Sequence, residues 1–209
     1  MINVLTIGMD GASYDIFERG WTPFISKMLQ RGENFKPITD LMSRGWIEIA
    51  SGKHGIKTGA LYDFPKCDGS YNWSTEYSLN LRKQYDSAGE WFWNHFNDRG
   101  NTVGVLNLPT TFPAPEVKGF FVSGGGGGAP VVSAPTEELV YPKNILKTLL
   151  EKGYIVDERI SQLVLDEGVK NVSQIIGRLK IKNQRRVETL IKLVKDNPIN
   201  IGFITFKTS

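Results

Sequence analysis

The sequence predicts an α/β fold in which a mostly parallel sheet carries helices on both faces. Short apolar runs typical of strands alternate along the chain with segments of helical periodicity, the pattern of parallel α/β proteins. The last run, INIGFITF at 199–206, is almost continuously apolar, as expected of an interior strand covered on both faces. The 209 residues are 40% hydrophobic and 22% charged, so we expect one globular domain spanning residues 1–209.

The first half of the chain contains one predicted strand, three predicted helices and one long excursion. An apolar run predicts the strand at about 2–8. Periodicity and end signals predict helices at 22–32, 43–52 and 87–100. Residues 62–85 are rich in Gly, Ser, Asn and aromatic residues without a clear period, so we expect a surface excursion there.

The second half contains three predicted strands and two predicted helices. We expect strands at 101–109, 120–123 and 199–206, with prolines preventing regular structure between the first two. Five consecutive glycines follow the second strand, and residues 124–136 are predicted to form a glycine-rich loop. Helices are expected at 141–153 and at about 172–196. In the longer one, apolar residues recur at i, i+3, i+4 and i+7, namely Val187, Leu190, Ile191 and Val194.

Charge, cysteine content and hydropathy exclude several classes of protein. The net charge of +3 is too small and scattered for nucleic-acid binding, and the basic run at 177–186 is interpreted as the solvated part of a helix. The single cysteine, Cys67, excludes an intramolecular disulfide and is typical of a reducing compartment. No run approaches the roughly 18 apolar residues of a membrane span, and no basic region precedes an apolar one at the N-terminus. We therefore expect a cytoplasmic protein with no membrane partner.

Two positions are candidates for chemistry at the carboxyl ends of the strands, where ligands bind in open α/β sheets. Asp10 follows the first strand, and Ser43 and Arg44 precede the helix at 43–52. A hydroxyl at that place suits a nucleophile that attacks a phosphate, and Arg44 could donate two parallel hydrogen bonds to phosphate oxygens. The alternatives are that Asp10 caps the next helix or a turn, that Ser43 is an N-cap, and that Arg44 is solvated.

Five segments, taken in order and spacing, resemble the alkaline phosphatase superfamily. They are VLTIGMDGAS (4–13), TPFISKMLQRGENFKPI (22–38), SRGWIEIASGKHGIKTGALYDF (43–64), VGVLNLPTTFPAPEVKGFFVSG (103–124) and YPKNILKTLLEKGY (141–154). The branch they resemble most is the type I phosphodiesterase/nucleotide pyrophosphatase group. The resemblance implies a phosphoric ester hydrolase that acts on a small-molecule phosphate ester, with two divalent cations, usually zinc, in the complete enzyme.

The resemblance assigns roles to three residues of this chain. It makes Asp10 a metal-ligating carboxylate. Counting back from Trp46 without gaps places the usual hydroxyl nucleophile of the family on Met42. A shift of one residue in the alignment places it on Ser43, which we favour. The alternatives are that Thr39 is the nucleophile or that this chain has lost the nucleophile. His54 belongs to the turn after the helix, outside the metal set, and His95 is expected to be structural.

The C-terminal segment departs from the family pattern. In the resembled family a strand like IGFITF leads into an Asp-x-x-x-His segment with further metal ligands, and this chain has none of them. We therefore expect the N-terminal portion of a longer enzyme, which is incomplete or inactive by itself and binds zinc weakly or not at all. An exposed last strand would invite self-association through the sheet edge. The alternative is a non-catalytic domain that keeps the fold and binds an anion or a partner chain.

Overall fold

A computed structural model describes residues 2–35, 45–58, 64–65, 69–70, 73–74, 90–125, 134–157 and 172–206. Its strands are β1 (Val4–Met9), β2 (Phe64–Pro65), β3 (Trp73–Ser74), β4 (Val103–Leu108), β5 (Gly119–Ser123), β6 (Val140–Tyr141) and β7 (Ile201–Phe206). Its α-helices are α1 (Asp15–Glu18), α2 (Pro23–Leu29), α3 (Gly45–Ser51), α4 (Gly55–Thr58), α5 (Phe92–Asp98), α6 (Ile145–Glu151) and α7 (Val172–Asp196). One 3-10 turn spans Glu137–Leu139.

Five of these strands form one sheet in the order β1-β7-β4-β5-β6. The first four run parallel, and only β6 pairs antiparallel to its neighbour β5. Strands β2 and β3 form a separate antiparallel pair inside the region predicted as a surface excursion. The prediction of an α/β fold with a mostly parallel sheet is confirmed at this level.

Strand β7 lies in the interior of the sheet, between β1 and β4. Five of its six residues are buried, which confirms the prediction drawn from its continuous apolar run. The expectation that the last strand forms an exposed edge is wrong, because β7 pairs on both sides with strands that come earlier in the sequence. Among the described strands, the edge on that side is β1.

Two hydrophobic clusters cover the two faces of the sheet. On one face, helices α6 and α7 pack on the strands through Ile145, Leu149 and Leu193. On the other face, Ala50 of α3 and Trp93 of α5 pack against the strands, and the indole of Trp93 meets the ring of Phe121 edge-on at 5.1 Å. The predicted helices on both faces are therefore present.

The predicted extent of the longest helix is correct, but the residues that the helix buries most fully are not the apolar residues that predicted it. The sequence predicts a helix at about 172–196, and α7 spans Val172–Asp196. Its fully buried stripe consists of Lys182, Arg186, Thr189 and Leu193. Val187 and Ile191, which signalled the helix in the sequence, are 41% and 50% exposed. Among the described helices, none is long and apolar enough to cross a membrane.

Candidate functional site

A row of polar residues lies at the carboxyl ends of the parallel strands. Asp10 directly follows β1, and its amide donates a 2.9 Å hydrogen bond to the carbonyl of Phe206, which extends the pairing of β1 with β7. Asn107 and Thr205 are buried near the ends of β4 and β7, and Ser123 is buried at the end of β5. Each of these residues interrupts an apolar run, so the run places its polar side chain at the sheet edge where ligands bind.

The carboxylate of Asp10 is oriented by Trp46, near the start of α3. The indole Nε1 of Trp46 donates to Oδ1 of Asp10 at 3.1 Å. The indole reaches this position by lying over Gly8, where an added Cβ would stand only 2.6 Å from the Cη2 atom of Trp46. The glycine two residues before the acid therefore makes room for the ring that holds the carboxylate.

Asp10 does not cap the helix that follows it. Helix α1 begins at Asp15, its N-cap is Tyr14, and no side chain makes a capping hydrogen bond there. The helix-cap alternative for Asp10 is therefore wrong. The other predicted site residues, Thr39, Ser43 and Arg44, lie outside the described residues, so of the predicted set only Asp10 has a described place.

The two histidines pair with carboxylates near them in sequence. His54 Nε2 lies 3.8 Å from Oε1 of Glu48, and His95 Nε2 lies 3.8 Å from Oε2 of Glu90. Both imidazoles are about half exposed. Among the described residues, no group of three or more His, Cys, Asp and Glu side chains could hold a metal ion. This part of the chain supplies only Asp10 of the implied ligand set, so it does not fit a two-metal centre, which needs several such donors.

A second polar cluster, which the sequence did not predict, lies at the same end of the sheet. Asn107 has a left-handed φ of 65°, and the pairing of β4 with β5 shifts register between Leu106 and Leu108. Asparagine adopts this conformation more readily than most residues. The irregularity brings the Asn107 amide to Tyr154 and Arg186.

The guanidinium of Arg186 joins α7 to three parts of the fold. Its Nη1 donates to the carbonyl of Thr205 at 3.3 Å, and its Nη2 donates to the carbonyl of Val156 at 2.7 Å. The side-chain amide of Asn107 makes hydrogen bonds through both its oxygen and its nitrogen. The oxygen accepts from Nη1 and Nη2 of Arg186, each at 3.1 Å, and the nitrogen donates to Tyr154 Oη and to the Val156 carbonyl. A buried cation is tolerated because neutral acceptors converge on it.

Two further charged residues belong to this buried region. Lys182 lies one turn before Arg186 on α7, and both are fully buried, which makes the interpretation of 177–186 as a solvated face wrong for these two residues. Asp157 is 7% exposed, and an added Cβ on Gly125 would stand 2.6 Å from its Oδ2. The signal in the sequence was the spacing of 182, 186, 189 and 193, which continues one helical face.

Tyr154 gives this cluster a predicted pH dependence. Burial raises the pKa of Tyr154 from 10.0 to about 12, with Arg186 opposing and Asp157 adding to the shift. Between pH 10 and 12 the unfolded chain loses the phenolic proton while the folded chain keeps it. The free energy of unfolding should therefore hold its full value below pH 10 and fall by about 2 kcal/mol as the pH approaches 12.

This dependence can be measured by urea unfolding at several values between pH 9 and 12. The Tyr154→Phe variant has no phenol to ionise, so it should lose less stability over this range than the unchanged chain. Equal losses in the two proteins would contradict the assignment, since the two chains differ only in the phenol of Tyr154.

No family model, no curated protein and no solved structure matches the chain.

Proposed function

We propose that the chain is the substrate-facing part of a phosphoric ester hydrolase with an alkaline phosphatase-like core, closest in kind to the type I phosphodiesterase/nucleotide pyrophosphatase group. The observation that carries the proposal is Asp10 at the carboxyl end of β1, with Oδ1 held 3.1 Å from the indole nitrogen of Trp46. Trp46 lies in the helix that directly follows the hydroxyl-bearing segment 39–44 in sequence. The order of the five sequence segments supports the same reading.

In this proposal the nucleophile is a hydroxyl of that segment. The Ser43 oxygen attacks the phosphorus of a small phosphate ester, the bond to the alcohol oxygen breaks, and the alcohol leaves after taking up a proton. Water then cleaves the serine phosphate and releases inorganic phosphate from a monoester substrate, or a phosphate monoester from a diester substrate. Arg44 donates two hydrogen bonds to phosphate oxygens, and Thr39 is the alternative nucleophile.

The divalent cations implied by the resemblance do not enter this scheme. Asp10 is the one described residue of the implied ligand set, and the described residues do not complete a two-metal centre. We therefore expect weak or no zinc binding by this chain in a calorimetric titration. Tight binding of two zinc ions would contradict that expectation.

The proposal is tested by titrating p-nitrophenyl phosphate and bis-p-nitrophenyl phosphate into the chain, with and without zinc. We expect saturable binding that Arg44→Met weakens at least tenfold. The matched control is Arg99→Met, because Arg99 is exposed and donates only to the carbonyl of His95 among described residues. Absence of binding, or equal affinity of the Arg44→Met and unchanged chains, would overturn the proposal.

The nucleophile is identified by mass spectrometry after incubation with the ester. If the ester phosphorylates the chain, the phosphoryl group should be found on Ser43 and should disappear in Ser43→Ala, while Thr39→Ala keeps it. Phosphorylation that survives Ser43→Ala and is lost in Thr39→Ala would transfer the role to Thr39.

A second candidate function is a non-catalytic domain that binds a partner chain. The observation that favours it is the exposure of β1, whose apolar side chains are open to solvent on both faces. Binding of the esters without any phosphorylated residue, at every zinc concentration, would support the anion-binding form of this non-catalytic domain over the hydrolase.

A further inference from the structure

Strand β7 buries one side-chain hydroxyl that makes no hydrogen bond. Thr205 is 0% exposed, and its Oγ1 has no partner in the part of the chain that the structure describes. A buried donor without an acceptor destabilises a fold, and native proteins contain few of them. Valine has nearly the same shape and no polar side-chain atom, so it would suit this place in an apolar strand better. The hydroxyl therefore calls for an explanation other than the stability of the fold.

The hydroxyl of Thr205 lies beside the candidate site. Thr205 pairs with Gly8 of β1, and its Oγ1 lies 3.4 Å from the position that a Cβ on Gly8 would take. The Cη2 atom of Trp46 lies 2.6 Å from the same position, so the hydroxyl and the indole are neighbours over Gly8. The Nε1 atom of that indole donates to Oδ1 of Asp10. The unpartnered hydroxyl and the oriented carboxylate are therefore neighbours of one ring.

The backbone of Thr205 is held in place without the help of the hydroxyl. Its carbonyl accepts a hydrogen bond from Nη1 of Arg186 at 3.3 Å. Strand β7 also pairs with β1 on one side and with β4 on the other. Removing the hydroxyl therefore removes no bond that supports the strand, and the hydroxyl is left for a group that the site binds.

We propose that Thr205 is a further ligand-binding residue of this site, and that its hydroxyl donates a hydrogen bond to a phosphate oxygen of the bound ester. This role rests on the proposed function, which brings a phosphate ester to the carboxyl ends of the strands. A neutral hydroxyl can donate to an anionic oxygen, and such bonds are stronger than those between neutral groups. A donor beside the Asp10 carboxylate also offsets part of the repulsion between that carboxylate and the phosphate.

This contact requires the indole of Trp46 to move when the ester binds. Thr205 has no exposed surface, so an ester reaches its hydroxyl only after a neighbouring group is displaced. The indole over Gly8 is such a neighbour, and Trp46 is itself partly exposed. Its movement breaks the hydrogen bond to Asp10 and uncovers the hydroxyl and the carboxylate together. The bond that Asp10 loses is offset by the bond that Thr205 gains.

The first test compares Thr205→Val with Thr189→Val by calorimetric titration of bis-p-nitrophenyl phosphate and by thermal unfolding. Both threonines are 0% exposed, but the hydroxyl of Thr189 donates to the carbonyl of Arg185 at 2.7 Å. We expect Thr205→Val to raise Tm by about 2–4 °C and to weaken ester binding about tenfold or more. Thr189→Val should lower Tm and leave binding unchanged. Thr205→Ser, which keeps the hydroxyl, should bind the ester as the unchanged chain does.

The outcomes separate this role of Thr205 from the proposed function. Equal affinity of Thr205→Val and the unchanged chain would show that the hydroxyl does not contact the ester, and a lower Tm in that variant would show that the hydroxyl already has a partner. If Thr205→Val weakens binding and Arg44→Met does not, the proposed function fails and the role of Thr205 stands. If only Arg44→Met weakens binding, the reverse holds. Absence of ester binding would overturn both.

The second test follows the Nε1–H signal of Trp46 in nitrogen–proton NMR spectra, where its absence in Trp46→Phe identifies it. Saturation with the ester should move this signal toward the position of an indole N–H in water, because the hydrogen bond to Asp10 breaks. Thr205→Ser should show the same change. A signal that stays in place at saturation would contradict the movement of the indole, and with it the contact between Thr205 and the ester.

Discussion

Replacing Arg186 by methionine is expected to lower the free energy of unfolding by about 3–5 kcal/mol. The guanidinium is fully buried and donates to the carbonyls of Thr205 and Val156. Methionine keeps much of the side-chain volume but supplies no donor. The Asn107 oxygen and both carbonyls then lose donors in a region that water does not reach.

The matched control for this substitution is Arg185→Met. Arg185 is the neighbouring residue of α7, and its Nη1 donates to the carbonyl of Gly153 at 3.1 Å from a partly buried position. Loss of one such bond should cost about 1 kcal/mol. Guanidinium chloride unfolding of the two variants measures the difference, and equal losses of stability would show that the Arg186 network contributes nothing beyond an ordinary hydrogen bond.

Replacing Gly119 by alanine is expected to destabilise the fold by about 3 kcal/mol or more. Gly119 begins β5 with a φ of +133°, a conformation that residues with a Cβ rarely adopt. An added Cβ would also collide with the backbone of Val103 in the neighbouring strand β4. Both the local conformation and the spacing of two central strands would therefore have to change.

A glycine in a different setting provides the control for Gly119. Gly177 lies inside α7, has a helical backbone, and would have no atom within 4 Å of an added Cβ. Gly177→Ala should therefore raise the free energy of unfolding by about 0.5–1 kcal/mol. Opposite signs for the two substitutions are expected in thermal unfolding, and a stabilising Gly119→Ala would contradict the backbone geometry described above.

The elements that the sequence predicted well are those that depend on local pattern. The alternation of apolar runs and helical segments predicted the α/β fold, and the continuous run at 199–206 predicted that β7 is covered on both faces. The long helix was predicted at 172–196, which is where α7 lies. Periodicity and end signals act between residues close in sequence, so the chain itself contains the information.

The candidate site was predicted only in part, because local sequence patterns do not show contacts between residues that are far apart in sequence. A carboxylate directly after an apolar run marked Asp10, because the carboxyl end of a parallel strand is where ligands bind. The bond from Trp46 to Asp10 joins residues 36 apart, and no local pattern predicts it. Whether Ser43 or Thr39 is the nucleophile stays a prediction of the sequence.

The tertiary structure alone decided which strand forms the open edge and which face of α7 is buried. The apolar residues Val187 and Ile191 are half exposed, while Lys182 and Arg186 are fully buried. Burial of a charge is favourable only when acceptors meet it, and those of Arg186 come from Asn107, Val156 and the end of β7. The sequence determined that these elements would form; their assembly determined which polar groups meet, because the partners lie far apart along the chain.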